Sequence, residues 1–267
     1  MQESTSQHIG LLELDKESRI NHISEFCDAT NEIDPIELTG AYHRLRELAP
    51  HRHARNKSYF MGHTGVPSSG KHSNRREEHL AIAIWNETQE SGPLRMPNES
   101  DLDILDYQFP LNARQSDKGI GKVDLFGVAG KTKPCVIELK IHPANTGMGD
   151  TPLWAFLEAL VYCAIVEANA DDIAQEVFDN YGKRLIGGRP DLVVMAPEEY
   201  WRHYIIHQKT GNWWPALRRL ADQLEESFGL VSHFIALRDA DFSMGLEGQK
   251  PRLLGDCSLI SLAELMS

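Results

Sequence analysis

Two short apolar runs of this chain carry charged residues at positions where a buried strand would ordinarily hold hydrophobic ones. Residues 122–128 read KVDLFGV and residues 135–141 read CVIELKI, joined by the turn-like stretch AGKTKP. Both runs are rich in β-branched and aromatic residues, and the short Gly-containing connection predicts a hairpin. Side chains alternate along a strand, so Glu138 and Lys140 share one face with the apolar Val136. A strand that buries Val136 while aligning an acid and a lysine gives up stability, because isolated buried charges are costly unless they pair or hold a metal. With Asp124 opposite this pair, two acids and one base converge. Two hard carboxylates suit Mg²⁺ or Mn²⁺, which take oxygen ligands and keep several waters.

The flanking pattern predicts an α/β fold. A helix is expected over 37–48, ended by Pro50, and another from Asn74, a good N-cap, through RREEHLAIAIWNET. Its Leu80, Ala81, Ile84 and Trp85 give an apolar face at helical spacing. A strand is expected at 102–111, before the hairpin. A long helix follows at 153–168, then a strand at 191–195, a helix at 215–228 and a strand at 231–237. The order predicts a mixed central sheet flanked by helices. Residues 1–73 form the expected N-terminal helical leader and basic loop, and 74–267 the main domain.

Charge narrows the partners. The 267 residues carry a net charge of −12, which argues against a general nucleic-acid coat. Between His43 and Arg76, however, eight Lys/Arg and five His face a single acid, Glu47. Such a strip can steer a polyanion to one side of an acidic body, although a solvated basic loop explains it too. The four cysteines are scattered without ligand spacing, no signal pattern opens the chain, and no apolar run reaches membrane length. A cytoplasmic protein without membrane contact is the expectation.

Asp124, the hairpin, Glu138-x-Lys140 and the helices on either side together resemble the PD-(D/E)xK nuclease superfamily, over roughly residues 75–196. Val123 stands where that motif has proline. The resemblance implies a restriction-endonuclease-like αβββαβ core and metal-dependent hydrolysis of phosphodiester bonds, in DNA rather than RNA, with an association with defence against foreign DNA. By the same resemblance Asp124, Glu138 and the backbone carbonyl of Leu139 ligate Mg²⁺ or Mn²⁺, and Lys140 positions the attacking water or offsets charge on the phosphate. A glutamate from the preceding helix completes the set; Glu77 fits its E-x-x-L setting and Glu78 is the fallback. Glu158 and Tyr162, at i and i+4 on the following helix, are further candidates, with a purely structural role the better expectation. Lys71, Arg75, Arg76 and Lys122 are candidate contacts to nucleic acid.

Other readings stay open. Glu138 and Lys140 also suit a solvent-facing pair on an amphipathic strand, and Glu77 and Glu78 suit acids favoured by a helix N-terminus. A non-catalytic subunit of the same fold, serving nucleic-acid binding or assembly, is the alternative function. A homodimer or an activating protein partner is compatible with the acidic balance. The stretch Gly65–Lys71 matches most of a phosphate-binding loop, but Pro67 removes an amide and His72 stands where Ser or Thr would hold Mg²⁺. His51, His53, His63, His72 and His79 keep no metal-ligand spacing. Trp201, Trp213 and Trp214 are expected as core or interface anchors rather than base-stacking platforms.

Overall fold

The computed structural model describes residues 12, 17–67, 76–117, 120–142, 149–206, 212–243, 249–255 and 257–267. In chain order the helices are α1 (Glu17–Ile20), α2 (Phe26–Glu32), α3 (Pro35–Leu48), α4 (Arg76–Ser91), α5 (Pro152–Ala168), α6 (Ala170–Tyr181), α7 (Glu198–Ile206), α8 (Trp213–Phe228) and α9 (Leu262–Leu265). The strands are β1 (Leu94–Arg95), β2 (Asp101–Pro110), β3 (Lys122–Ala129), β4 (Lys133–Leu139), β5 (Asp191–Pro197), β6 (Ser232–Arg238), β7 (Asp241–Phe242), β8 (Leu253–Leu254) and β9 (Ser258–Ser261). Seven strands form one mixed sheet in the order β1-β2-β3-β4-β5-β6-β9, and β7 pairs with β8 beside it. The edge strands β1 and β9 come near each other, so the sheet is nearly closed.

The β2-β3-β4 meander is antiparallel, and β4-β5 and β5-β6 are parallel through helical crossovers. The β3–β4 turn is tight because Gly130 and Lys131 both take positive φ, a backbone twist that matches the flanking strands. At Gly127 a Cβ would lie 2.6 Å from the Asp103 carbonyl, so only glycine lets β2 and β3 approach there. The expected hairpin strand at 135–141 is displaced: it begins at Lys133, which pairs with Ala129, and ends at Leu139.

Alternation sorts the strands onto two cores. Val136, Phe126, Leu192, Val194 and Ala236 face the larger one, roofed by α5, α3 and α8. Ile137, Leu139, Val193 and Met195 face the other, closed by Leu80, Ala81 and Ile84 of α4. Helix α5 is apolar on every side and buried over nearly its whole length, as an all-round hydrophobic helix must be. Thr151 caps it, accepting from the Trp154 amide at 3.2 Å, and Pro152 takes the first turn, where no amide is needed. Among the described residues no single helix is long and apolar enough to cross a membrane.

The N-terminal segment is not set apart from this body. Leu12, Ile20, Phe26, Leu38, Tyr42 and Tyr59 are buried in the larger core. Glu167, at the end of α5, fastens α3 to the sheet side: it accepts from Arg46 at 2.7 Å, from Tyr42 at 2.7 Å and from Arg189 at 2.8 Å. Burial opposes its ionisation, but the bonds from Arg189, Tyr42 and Arg46 hold its carboxyl down at about 2. Glu167→Ala leaves two partly exposed guanidinium groups without this partner, and urea unfolding should show a loss of about 2 kcal/mol. A loss under about 1 kcal/mol, the range of exposed pairs, would mean that the network does not fasten α3.

Candidate active site

The β3–β4 hairpin register pairs Leu125 with Ile137, and one further step sets Asp124 across from Glu138. Both therefore point with Val136 and Phe126 toward α5, at the carboxyl end of β4. The backbone there is firmly placed, because Glu138 and Leu139 pair with Val194 and Met195 of β5 and the Lys140 amide donates to the Met195 carbonyl at 3.0 Å. Asp124 is held at both oxygens. The Leu139 amide donates to Oδ2 at 2.9 Å, and the Gln108 side-chain amide donates to Oδ1 at 3.1 Å.

Lys140 is the hub. Its Nζ donates to Glu138 Oε1 at 2.8 Å and to Glu158 Oε2 at 3.0 Å, and lies 3.4 Å from Asp150 Oδ2. Glu158 comes from the second turn of α5, where Tyr162, one turn on, donates to its Oε1 at 3.1 Å. Asp150 precedes the α5 cap and is fixed from a distance: Asn21 donates to its Oδ1 at 2.9 Å, and Tyr200 and Tyr204 donate to its backbone carbonyl. Glu77, in the first turn of α4, reaches the same place from the opposite layer, where it takes a backbone hydrogen bond from Ile141.

Lys140 and Glu138 are each only 3% exposed. At that depth like charges cannot all ionise cheaply. Burial raises the Asp124 carboxyl to about 7, helped by Glu77 and opposed by Lys140 and the Leu139 amide. Glu138 is pushed well above the ordinary carboxylate range by burial, Asp124 and Glu158. Glu77 is raised by burial, with Asp150 and Glu158 adding to the shift. Burial would lower the Lys140 ammonium, but Glu138, Glu158, Glu77 and Asp150 hold it well above its usual value. One cation thus serves five acids.

Sequence reasoning placed Asp124, Glu138, Lys140 and Glu77, and the fold brings all four together. Glu78 turns elsewhere, its charge acting on His79 and Tyr107. Gln108, Asp150 and Asn21 were missed. Nothing in local spacing marks them, since each reaches the site from the neighbouring strand, from a loop or from a remote segment. Lys122 is exposed at the start of β3, and Arg76 lies over the Phe242 ring at 5.8 Å. Lys71, Arg75, His72 and Asn74, with most of the phosphate-loop-like stretch, fall outside the described residues. Gly65 at its start is committed to packing, its amide bonded to the Tyr107 hydroxyl and its carbonyl to Asn86. His53 pairs with Glu176 and Asp172, and His63 stacks on Tyr107 beside Asp106. Trp201 and Trp213 are buried in the core.

No family model, no curated protein and no solved structure matches this chain.

Among the described residues no three His, Cys, Asp or Glu side chains stand arranged to hold a metal ion. The chemistry of the donors nevertheless fits a hard divalent cation. Glu138 Oε2 is buried with no hydrogen-bond partner. A buried carboxylate oxygen left unpaired is costly, and here it lies beside Asp124 and Glu77 in a set with excess negative charge. Mg²⁺ or Mn²⁺ would satisfy that oxygen and offset the repulsion.

The Asp124 shift carries a sign for stability. Below the ordinary value of 3.8, folded and unfolded chains both hold the proton. As pH rises toward about 7 the unfolded chain has already released it, while the folded chain must give it up among other acids. The contribution of a raised carboxyl is therefore present at low pH and lost as pH rises through that window. In EDTA, the non-ionising Asp124→Asn variant should gain on wild type in melting temperature as pH goes from about 5 to about 8. A difference that stays constant across that range would show that Asp124 is not under this strain.

Proposed function

We propose that this chain is a metal-dependent nuclease that hydrolyses phosphodiester bonds in DNA, with a PD-(D/E)xK site on a restriction-endonuclease-like αβββαβ core. The observation that carries this reading is the convergence of Asp124, Glu138, Glu77 and Lys140 on one buried point, with Glu138 Oε2 left without a partner. The order α4, β2-β3-β4, α5, β5, with the two-residue β1 and helix α6 interposed, supports this reading.

Asp124, Glu138 and Glu77, with the Leu139 carbonyl, would hold Mg²⁺ or Mn²⁺. When bound, such an ion polarises a phosphoryl oxygen and makes bound water more acidic. The chain's own residues set the geometry. The Leu139 amide and Gln108 fix the Asp124 carboxylate, and β4–β5 pairing fixes the backbone that carries Glu138 and Lys140. Lys140, kept cationic by its acidic neighbours, supplies a positive group for the phosphate or for orienting the attacking water. Water adds to phosphorus, one phosphorus–oxygen ester bond breaks, and the leaving oxygen takes a proton. Catalysis on this plan is positioning and electrostatics. Lys122 and Arg76, with Lys71 and Arg75, are the cations offered to the DNA backbone, and their salt-sensitive contribution offsets the acidic body. Cytoplasmic location, and a homodimer or activating partner, belong to the same proposal.

A second reading, a non-catalytic subunit of this fold, draws on the deep enclosure of Lys140 by three carboxylates within 3.4 Å. Cleavage of plasmid, linear and single-stranded DNA with Mg²⁺, Mn²⁺ or EDTA separates the two. Wild type should cut only with metal. Glu138→Ala and Lys140→Ala, checked by circular dichroism for folding, should each cut at least about 100-fold more slowly. Lys71→Ala should keep metal-dependent cutting with weaker, more salt-sensitive DNA binding, whereas a nucleotide-binding protein would lose ATP or GTP binding in that variant. Folded wild type that cuts none of these DNAs with either metal would favour the non-catalytic reading.

A further inference from the structure

Gln108 stands inside β2, a ten-residue strand, with its backbone at φ 49°, in the left-handed region. L-residues with side chains avoid that region, and they occupy it within regular structure mainly where the surroundings over-determine them. The register does not account for it. Tyr107 pairs with Leu125 and Phe109 with Val123, which sets Gln108 across from Asp124 without a slip, but the faces change here: Tyr107 and Leu125 lie in the second core, Phe109 and Val123 in the larger one.

The conformation coincides with that change of face, and Gln108 at this point makes a contact. The Gln108 amide nitrogen donates to Asp124 Oδ1 at 3.1 Å, while the Leu139 amide holds Oδ2 at 2.9 Å. With both oxygens bonded, the carboxylate plane is fixed. The choice of side chain matters as well. A lysine or arginine here would hold Asp124 but cancel its charge. A neutral amide donor orients the acid and leaves its charge for a cation. Each carboxylate oxygen has a second lone-pair direction, so one hydrogen bond at Oδ1 does not exhaust it.

We infer that Gln108 is a positioning residue for the metal-binding carboxylate: from its place across from Asp124 it presents a neutral amide, so that the carboxylate is oriented without being neutralised. The inference deepens the metal-site reading above and rests on it. Residues that hydrogen-bond to ligating carboxylates typically change metal affinity by about 10–100-fold when removed.

Glycine provides the clean test, because it accepts positive φ without strain while deleting the amide. Mn²⁺ binding is measured by titration calorimetry for wild type, Gln108→Gly, Gln108→Ala and Glu138→Gln, with thermal melting alongside. Gln108→Gly should melt above Gln108→Ala by about 2 °C or more, yet both should bind Mn²⁺ about 10–100-fold more weakly than wild type. Glu138→Gln should bind least. A Gln108→Gly variant with wild-type Mn²⁺ affinity overturns the positioning role and leaves the metal site standing. Wild type that binds no Mn²⁺ overturns the metal site, and the inference with it in its present form. The Gln108–Asp124 contact is then read separately from the side-chain amide resonances of Gln108 in Asp124→Asn, which should shift; unshifted resonances remove the contact itself.

Discussion

The arrangement depends on one buried ammonium. Lys140 lies where burial disfavours its charge, and Glu138, Glu158, Glu77 and Asp150 crowd round it and favour that charge. The acids need the lysine equally, since without it their mutual repulsion has no counterweight in a medium that screens poorly. Burying such a set is weak evidence for stability, because well-packed hydrophobic residues would serve the core better. The cluster sits at the carboxyl end of β4, the strand at which the sheet passes from antiparallel to parallel pairing.

Elements far apart in the chain hold this cluster still. Strand β4 brings Glu138 and Lys140 on alternate residues, and its parallel partner β5 fixes their backbone. Helix α5 contributes Glu158 from a face that is otherwise apolar, so the acid is carried into the site by the burial of its neighbours. Helix α4 arrives from the opposite layer, with its first turn at the site and its apolar stripe on the second core. The N-terminal segment reaches in through Asn21, which bonds Asp150 and the Thr151 amide. That segment was expected as a leader ahead of the domain, but Ile20, Phe26 and Tyr42 lie in the main core.

How much of this could be read from the sequence follows from which interactions are local. The strands β3, β4, β5 and β6 and the helices α4, α5 and α8 were legible because burial imposes a period of two or 3.6 on adjacent residues. Glu138 and Lys140 were legible for the same reason, as charges breaking an apolar run. Helices α6 and α7 and strand β9 were not anticipated. Strand β9 is four residues long and offers too short a pattern, and α6 is mostly exposed, with Ile173 and Val177 its buried residues. Asp150 and Gln108 were invisible for a different reason. One acts from a loop tied down by tyrosines of α7, and the other from the neighbouring strand, at a backbone angle that no local residue pattern announces.

The charge balance follows from the same division between local and distant contacts. A net charge of −12 looks unsuited to a nucleic-acid partner. Part of that charge is turned inward, however. Glu167 is spent on Arg46 and Arg189, and Asp124, Glu138 and Glu158 are drawn in around Lys140. A buried acid contributes little to the field at the surface when a cation lies beside it, and a bound divalent ion would reduce it further. The formal sum therefore overstates the repulsion that a polyanion meets near the site, where Lys122 is exposed at the mouth of the β2–β3 hairpin. Several of the acids that make the total unfavourable are those gathered at this site, so composition and site are opposed only when charge is counted without regard to place.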